Sequence, residues 1–291
     1  MHHPGGPLLM AAGAGSGKTR ALTGRLKALI ARGIPPHEIV AITFTNKAAR
    51  EMRERVLGRE NAEQKWHPTF PVRGEPFIGT FHSFGARLLK QLASRCGRTP
   101  AFTIYDDDDS LSLVKKIAKQ LDIDKESFKP SMLAARISDI KSELKDIGDL
   151  RDSSDHRDEV VATVYEYYER ALAQQNAFDF DDLLEKPVRI MMNDTVVRTH
   201  YQKLFSHILV DEYQDINTVQ YQLIRLLAEE HKNLSVVGDD AQAIYSFRGA
   251  DFRNFLNFKR DWPDATIIKL EQNYRSSGTI IEAASGLIQY N

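Results

Sequence analysis

Residues 12–19 read Ala-Gly-Ala-Gly-Ser-Gly-Lys-Thr and end in Lys18 and Thr19; residues 207–215 read His-Ile-Leu-Val-Asp-Glu-Tyr-Gln-Asp and carry Asp211 and Glu212 behind an apolar run. A lysine and a hydroxyl closing a glycine-rich turn suit polyphosphate chemistry. The ammonium of Lys18 would neutralise β and γ phosphates, and the Thr19 hydroxyl would sit on a magnesium ion shared with them. Ala12, Gly13, Ala14, Gly15, Ser16 and Gly17 form the turn, whose backbone N–H groups, with the following helix N-terminus, aim positive partial charge at one point. The acid pair supplies the complement. Asp211 lies near the metal, and Glu212 orients or deprotonates the water that attacks the γ-phosphate. Taken singly, neither group is decisive, because tight turns need positive φ and acids commonly cap helices. Their long-range pairing is what makes the chemistry. The strict phosphate-loop pattern has glycine where this chain has Ala12.

Such a site needs strands that end at one edge. Short apolar, β-branched runs at Pro7–Ala11, Ile39–Thr45, Pro76–Thr80, His207–Val210, Leu234–Gly238 and Thr266–Leu270 read as strands, most of them separated by helical patterns. A helical stretch begins near Arg20. Near-continuous rather than alternating apolar runs fit a parallel sheet covered by helices on both faces, so the fold class is α/β of the nucleotide-binding kind. The interval from about Phe84 to Phe205 has no convincing central strand and reads as an all-helical insertion. One helix is expected from about Asp158 to Gln175, with Val161, Val164, Tyr168, Ala171 and Leu172 on one face and Glu159, Glu166, Glu169 and Arg170 solvated. Asp106 to Asp109 could suggest a metal site, but they precede a helical run, where acids cap and favour the helix dipole. Loops are expected at Gly58–Arg73 and Lys145–His156.

A chain of 291 residues suffices for two domains, or for one with a large insertion. Hydrophobic residues are 42%, charged residues 27% and the net charge is −1, the balance of an ordinary soluble globular protein rather than a disordered or strongly basic one. A nucleic-acid groove needs only a local basic stripe, so overall charge neither supports nor opposes one. The single cysteine, Cys96, leaves no intramolecular disulfide and fits a reducing cytosol. Met1–Pro7 has no secretory pattern, and no apolar run approaches the ~20 residues of a membrane helix. His2 and His3 read as loop residues or a tag remnant.

The motifs AGAGSGKT from Ala12, TFTNKAAREM from Thr43, GTFHSF from Gly79, FDFDDLL from Phe178, LVDEYQD from Leu209, GDDAQAIYSFRGA from Gly238 and LEQNYRS from Leu270 stand in that order. Together they resemble the superfamily 1 DNA helicases of the UvrD, Rep and PcrA type over nearly the whole chain. The resemblance implies a RecA-like phosphate-loop motor domain at 1–84 and 206–278, a mostly helical insertion at 85–205, and the start of a truncated second motor domain at 279–291. It implies ATP and Mg2+ as the bound nucleotide and metal, with Thr19 and Asp211 on the metal and Glu212 as base. Gln242 would sense the γ-phosphate, Tyr274 would stack on adenine, and Arg275 would be an arginine finger, a device that accelerates nucleotide hydrolases by ~10³–10⁵.

Thr43, Phe44, Thr45 and Asn46 end a strand and open a helix, so their hydroxyls, amide and N–H groups can hold a DNA phosphate. Thr80, Phe81 and His82 repeat that chemistry, and the resemblance places both blocks beside single-stranded DNA. The resemblance places Phe247, flanked by Tyr245 and Arg248, where the family carries an aromatic for stacking on a base, and stacking ignores sequence as a translocase requires. Asp179, Asp181 and Asp182 of FDFDDLL mimic a metal cluster, although a structural role is favoured. Ala243 replaces the usual serine.

The implied partners are single-stranded DNA and single-strand/duplex junctions, with possible repair or replication proteins, no membrane and no obligate oligomer; the implied place is the cytoplasm at the nucleoid. The implied activity is 3′-to-5′ translocation and unwinding driven by ATP. A glutamine motif before the first strand and the later second-domain motifs have no counterpart, so the expectation is a fragment with little activity alone. Two alternatives stand beside it: a single-stranded-DNA-binding module with a vestigial nucleotide site, and the motor part of an AddA- or RecB-like helicase–nuclease.

Overall fold

The computed structural model describes residues 3–58, 74–124, 126–242 and 253–288. In chain order the elements are β1 (Leu8–Ala12), α1 (Lys18–Ala31), β2 (Ile39–Thr43), α2 (Asn46–Leu57), β3 (Phe77–Thr80), α3 (Phe81–Leu92), β4 (Thr103–Tyr105), α4 (Asp107–Gln120), α5 (Pro130–Ser142), α6 (Ile147–Arg151), α7 (His156–Gln174), β5 (Ala177–Asp179), α8 (Asp182–Asn193), α9 (Thr195–Leu204), β6 (His207–Val210), α10 (Thr218–Ala228), β7 (Leu234–Gly238), α11 (Arg253–Leu256), α12 (Phe258–Asp261), β8 (Thr266–Leu270) and α13 (Gly278–Ile288). They form two compact units, Met1–Phe81 with Arg198–Asn217 and Ile224–Asn291, and His82–Val197 with Thr218–Leu223.

The first unit holds a six-stranded sheet in the order β3-β2-β6-β7-β1-β8. Every neighbouring pair in it is parallel. All five residues of β2 and of β7 are buried, which is why these strands read as unbroken apolar runs. Leu22, Leu26 and Leu29, spaced i, i+4 and i+7 on α1, pack with Leu8, Met10, Ile39, Ala41, Leu209 and Val237 of the strands. Parallel strands deliver their carboxyl ends to one edge, the edge at which open α/β sheets bind ligands.

The second unit is built on α4, α5, α6 and α7, whose Leu113, Val114, Ile117, Leu133, Ile137, Ile140, Leu150, Val161, Val164, Tyr168 and Leu172 share one core. The four aspartates cap a helix: Asp106 accepts from the Asp109 backbone at 2.9 Å, and Asp109 answers with its carboxylate on the Asp106 N–H. The unit is not all-helical. β4 and β5 pair in parallel from Thr103↔Ala177 to Tyr105↔Asp179, three residues each and too short to leave a period-2 signature. The expected loop at 145–156 contains α6, capped by the side chain of Asp146.

Glu169, expected on the solvated face of α7, turns instead to a lysine. Lys141 is 0% exposed, and its Nζ lies 2.7 Å from Glu169, 2.6 Å from Asp179 and 2.8 Å from Asp182. Lys186 adds Glu169 at 2.8 Å and Glu185 at 3.0 Å. The backbone N–H of Asp182 donates to Asp179 at 2.8 Å, and that of Asp179 returns to Asp182 at 3.2 Å. Asp179 and Asp182 of FDFDDLL therefore neutralise buried cations, whereas burial, and then Asp179, push Asp181 up to about 6. Among the described residues no group of three or more His, Cys, Asp or Glu could hold a metal ion. Nor, among them, is any helix long and apolar enough to cross a membrane.

Candidate functional site

The glycine-rich turn leaves β1 at Ala12 and enters α1 at Lys18, two residues before the expected helix start, because Gly17 caps the helix in the left-handed region at φ 87°. Ala12 is 3% exposed and belongs to the sheet core, so alanine is accommodated there. Inside the turn Ser16 donates through its hydroxyl to the Gly13 carbonyl at 2.7 Å. Lys18, 9% exposed, places its Nζ 3.0 Å from Glu212 Oε2 and donates to Gln242 Oε1 at 3.2 Å. Thr19 donates through Oγ1 to Asp211 Oδ2 at 3.1 Å. Residues almost two hundred positions apart in sequence thus meet at one edge of the sheet. Above them opens a cavity of about 860 Å³ lined by Gly15, Lys18, Thr19, Glu212, Gln242 and Arg275 among others. Its size is that of a small-molecule site.

Asp211 and Glu212 follow directly from the end of β6, where Asp211 N–H donates to the Ile42 carbonyl at 2.9 Å. Burial, and then the neighbouring Glu212 carboxylate, push the Asp211 carboxyl up to about 6. Asp215 is raised to about 6 by the same two causes. Glu212 has φ 52°, an uncommon conformation for a side-chain-bearing residue and one concentrated at functional sites. One lysine therefore faces three carboxyls, and the surplus negative charge suits a divalent cation. The Thr19 hydroxyl and the Asp211 carboxylate, 3.1 Å apart, are the hard oxygen donors that magnesium takes.

The segment after β8 folds back onto the turn. Asn273 Nδ2 donates to the Ala14 carbonyl at 2.6 Å, its Oδ1 accepts from the backbone N–H of Arg275 at 2.8 Å and of Ser276 at 2.9 Å, and Tyr274 N–H donates to the Gly15 carbonyl at 2.9 Å. Gly15 permits this approach, because a Cβ there would stand 2.8 Å from Arg275 Cβ and from Asn273 Oδ1. Arg275 then lines the cavity, and Tyr274 is 80% exposed beside it. Asn273 was missed by sequence reasoning. Its signal was an Asx turn, an asparagine accepting from N–H groups two and three residues ahead. Gln214, also missed, is 1% exposed and bridges Glu212, Asp215 and the Asp239 backbone.

The expected DNA contacts divide. Thr45 and Asn46 are exposed at the start of α2. β2 stops at Thr43 rather than Thr45, because the Thr45 hydroxyl serves as helix cap, accepting from Ala48 N–H at 3.1 Å. Phe44 is half-buried and, with Thr45, lines a second cavity of about 390 Å³ that also reaches Asp211, Glu212 and Gln242. Thr43 is 0% exposed, and its hydroxyl donates to the Thr45 carbonyl at 3.1 Å, so it is closed to a phosphate. Phe81 is 2% exposed and is a core residue rather than a stacking face. Thr80 is half-buried. His82 stacks on Phe180 with ring centroids 4.0 Å apart, and burial lowers its pKa to about 4, leaving a neutral imidazole with no charge to offer a phosphate. Tyr245, Phe247 and Arg248, with Ala243, lie outside the described residues, as does most of the expected loop at 58–73.

The sequence profile of the UvrD/REP helicase N-terminal domain matches residues 1–263. Over 290 residues the chain is 46% identical to the ATP-dependent DNA helicase PcrA of Staphylococcus aureus strain Mu50 and 45% identical to the ATP-dependent DNA helicase PcrA of Staphylococcus epidermidis strain ATCC 12228. Each match covers 98% of this chain and 38% of the relative, so the chain spans well under half the length of the curated relatives it matches.

Proposed function

Because the chain belongs to the UvrD/REP helicase N-terminal domain family, we propose that it is the ATP-binding half of a DNA motor. ATP hydrolysis in the cavity drives 3′-to-5′ movement on single-stranded DNA and opening of single-strand/duplex junctions, in repair or replication at the nucleoid. The observation that carries this reading is the convergence of Lys18 with Glu212 at 3.0 Å and of Thr19 with Asp211 at 3.1 Å under one open cavity.

Each residue then has a task. The turn from Ala12 to Gly17 and the α1 N-terminus hold the triphosphate through backbone N–H groups. Lys18 leaves Glu212 for the β and γ phosphates, freeing that carboxylate to take a proton from the attacking water. Thr19 and Asp211 would hold magnesium, which neutralises charge developing on the phosphates. Gln242 contacts the γ-phosphate, Arg275 reaches the same oxygens, and Tyr274 offers its exposed ring to adenine. Thr45 and Asn46, with Phe44, form the DNA-facing end of α2. Residues 279–291 are read as the start of a second motor domain, whose wall completes the pocket. Spanning 38% of the relative's length, the chain on its own is expected to bind nucleotide weakly and hydrolyse it slowly, without unwinding duplex.

ATP turnover with and without single-stranded DNA, in the parent, Lys18→Ala and Glu212→Gln, tests the reading. Slow turnover in the parent, lost in both variants, supports it. ATP-dependent strand separation by these 291 residues alone would sink the half-motor assignment. Oligonucleotide binding that ignores ATP favours a DNA-binding module with a vestigial nucleotide site.

A further inference from the structure

We infer that Gln214 is a positioning residue that keeps the Glu212 carboxylate aimed once Lys18 has turned to the nucleotide, an inference that rests on the hydrolase reading of this site. Gln214 Nε2 donates to Glu212 Oε2 at 3.0 Å and to Asp215 Oδ2 at 2.9 Å, while its Oε1 accepts from the Asp239 backbone N–H at 3.1 Å. A backbone N–H only donates and an ionised carboxylate only accepts, so a single orientation of the amide satisfies all three. The Asp239 carboxylate in turn accepts from Ala241 N–H at 3.2 Å and from the Gln242 side-chain amide. Gln242 Oε1 accepts from Lys18, and Lys18 returns to Glu212. The five residues close a ring.

One member of that ring is exchangeable, because the Lys18 ammonium is the group a triphosphate claims. With it gone, the Glu212 side chain, 33% exposed and carried on a backbone at φ 52°, keeps its link to Gln214. The same amide holds the Asp239 backbone, whose carbonyl accepts from Gln242 N–H at 3.1 Å, so one buried side chain ties the base through Asp239 to the γ-phosphate contact. Space is reserved for it. A Cβ on Gly238 would stand 2.6 Å from Gln214 Oε1 and 2.9 Å from the Phe255 ring. Demand for its two N–H donors is high, since Asp215 is buried and its Oδ1 has no hydrogen-bond partner among the described residues.

The test uses Gln214→Met, which keeps the volume and removes the donors, and reads melting temperature, affinity for a fluorescent ATP analogue, and single-turnover hydrolysis with protein in excess. Affinity is expected within about threefold of the parent while the hydrolysis rate falls at least ~10-fold, the split expected when a catalytic group is misplaced without loss of ground-state binding. The double variant with Glu212→Gln is expected to be no slower than Glu212→Gln alone, since Gln214 acts through Glu212. Parental hydrolysis in Gln214→Met beside a slow Glu212→Gln overturns the inference and leaves the hydrolase reading intact. Equal rates in the parent and Glu212→Gln, or none in either, overturn that reading and the inference together. If Gln214→Met melts below the assay temperature, Gln214→Glu decides: it sets a third carboxylate against Glu212 and Asp215, and a parental rate in it overturns the inference.

Discussion

Lys18 and Lys141 are both lysines pinned among carboxylates with little exposure, 10% and 0% for their side chains, yet their surroundings differ in what is left over. Lys141 meets Glu169, Asp179 and Asp182 in a buried cluster that Lys186 shares, and burial still raises Asp182 there. Burial alone would lower the Lys141 pKa, but Asp182, Asp179 and Glu169 raise it well above the usual lysine value. Burial would likewise raise Glu169, but Lys141 and Lys186 hold it well below the usual carboxylate range. Around Lys18 the acids face a larger opening. Asp211 and Asp215 are held up near 6, and a cavity of about 860 Å³ opens beside them. Buried charge by itself therefore does not mark a working site. Nor does a raised acid at a cavity, since Asp181, also raised to about 6, lines one of about 260 Å³; the cavity at Lys18 adds the glycine-rich turn and Arg275.

Removing one partner of a buried charge cluster strands the rest, so Lys141→Met is expected to cost about 3–5 kcal/mol in chemical denaturation. A loss below 1 kcal/mol would erase the contrast. Next come the acids, whose pH dependences should have opposite sign. Folded Asp211 keeps its proton to about pH 6, whereas an unfolded aspartate releases it near 4. Stability therefore falls as pH rises through that window, and Asp211→Asn should gain about 1–2 kcal/mol at pH 7.5, the gain fading toward pH 4. Folded Glu169 is depressed instead, so its contribution is present above the unfolded glutamate value and is lost as pH falls through the folded one. Glu169→Gln should accordingly lose stability at pH 7.5 and little in strong acid, as thermal melts at both pH values would show. Tyr168→Phe removes the 3.0 Å hydrogen bond to Asp179, which keeps Lys141, and the hydroxyl's hydrogen bond with Ser110, and should cost about 1 kcal/mol. Smallest of all, Lys18→Met should change stability by less than about 1 kcal/mol, because a cluster with surplus acid can shed or hydrate its charge at an open cavity.

The two regions also differed in how far the sequence revealed them. The phosphate loop was legible because its strand, glycines and helix start are local, and each short-range feature carries its own rule. Asp211 and Glu212 became legible by pairing with that loop. Asn273 and Gln214 did not, since their roles lie in contacts across separate strand ends: Asn273 with Ala14, Gln214 with Asp239. In FDFDDLL the acids were visible but their counter-ion, Lys141, lies 38 residues upstream of Asp179, beyond any local pattern. Phe81 and Thr43 failed for a different reason. Residue type names a ring or a hydroxyl, but exposure, which decides whether DNA can reach it, is set by tertiary packing.

Equilibrium titration of the chain with a fluorescent ATP analogue and Mg2+, run on the parent, Lys18→Met and Tyr168→Phe, tests the central claim most directly. The account predicts saturable binding in the parent and in Tyr168→Phe, and a loss of about 10- to 100-fold in Lys18→Met, the range of one charged hydrogen-bond donor. Undiminished binding in Lys18→Met, or no binding in the parent, would contradict it.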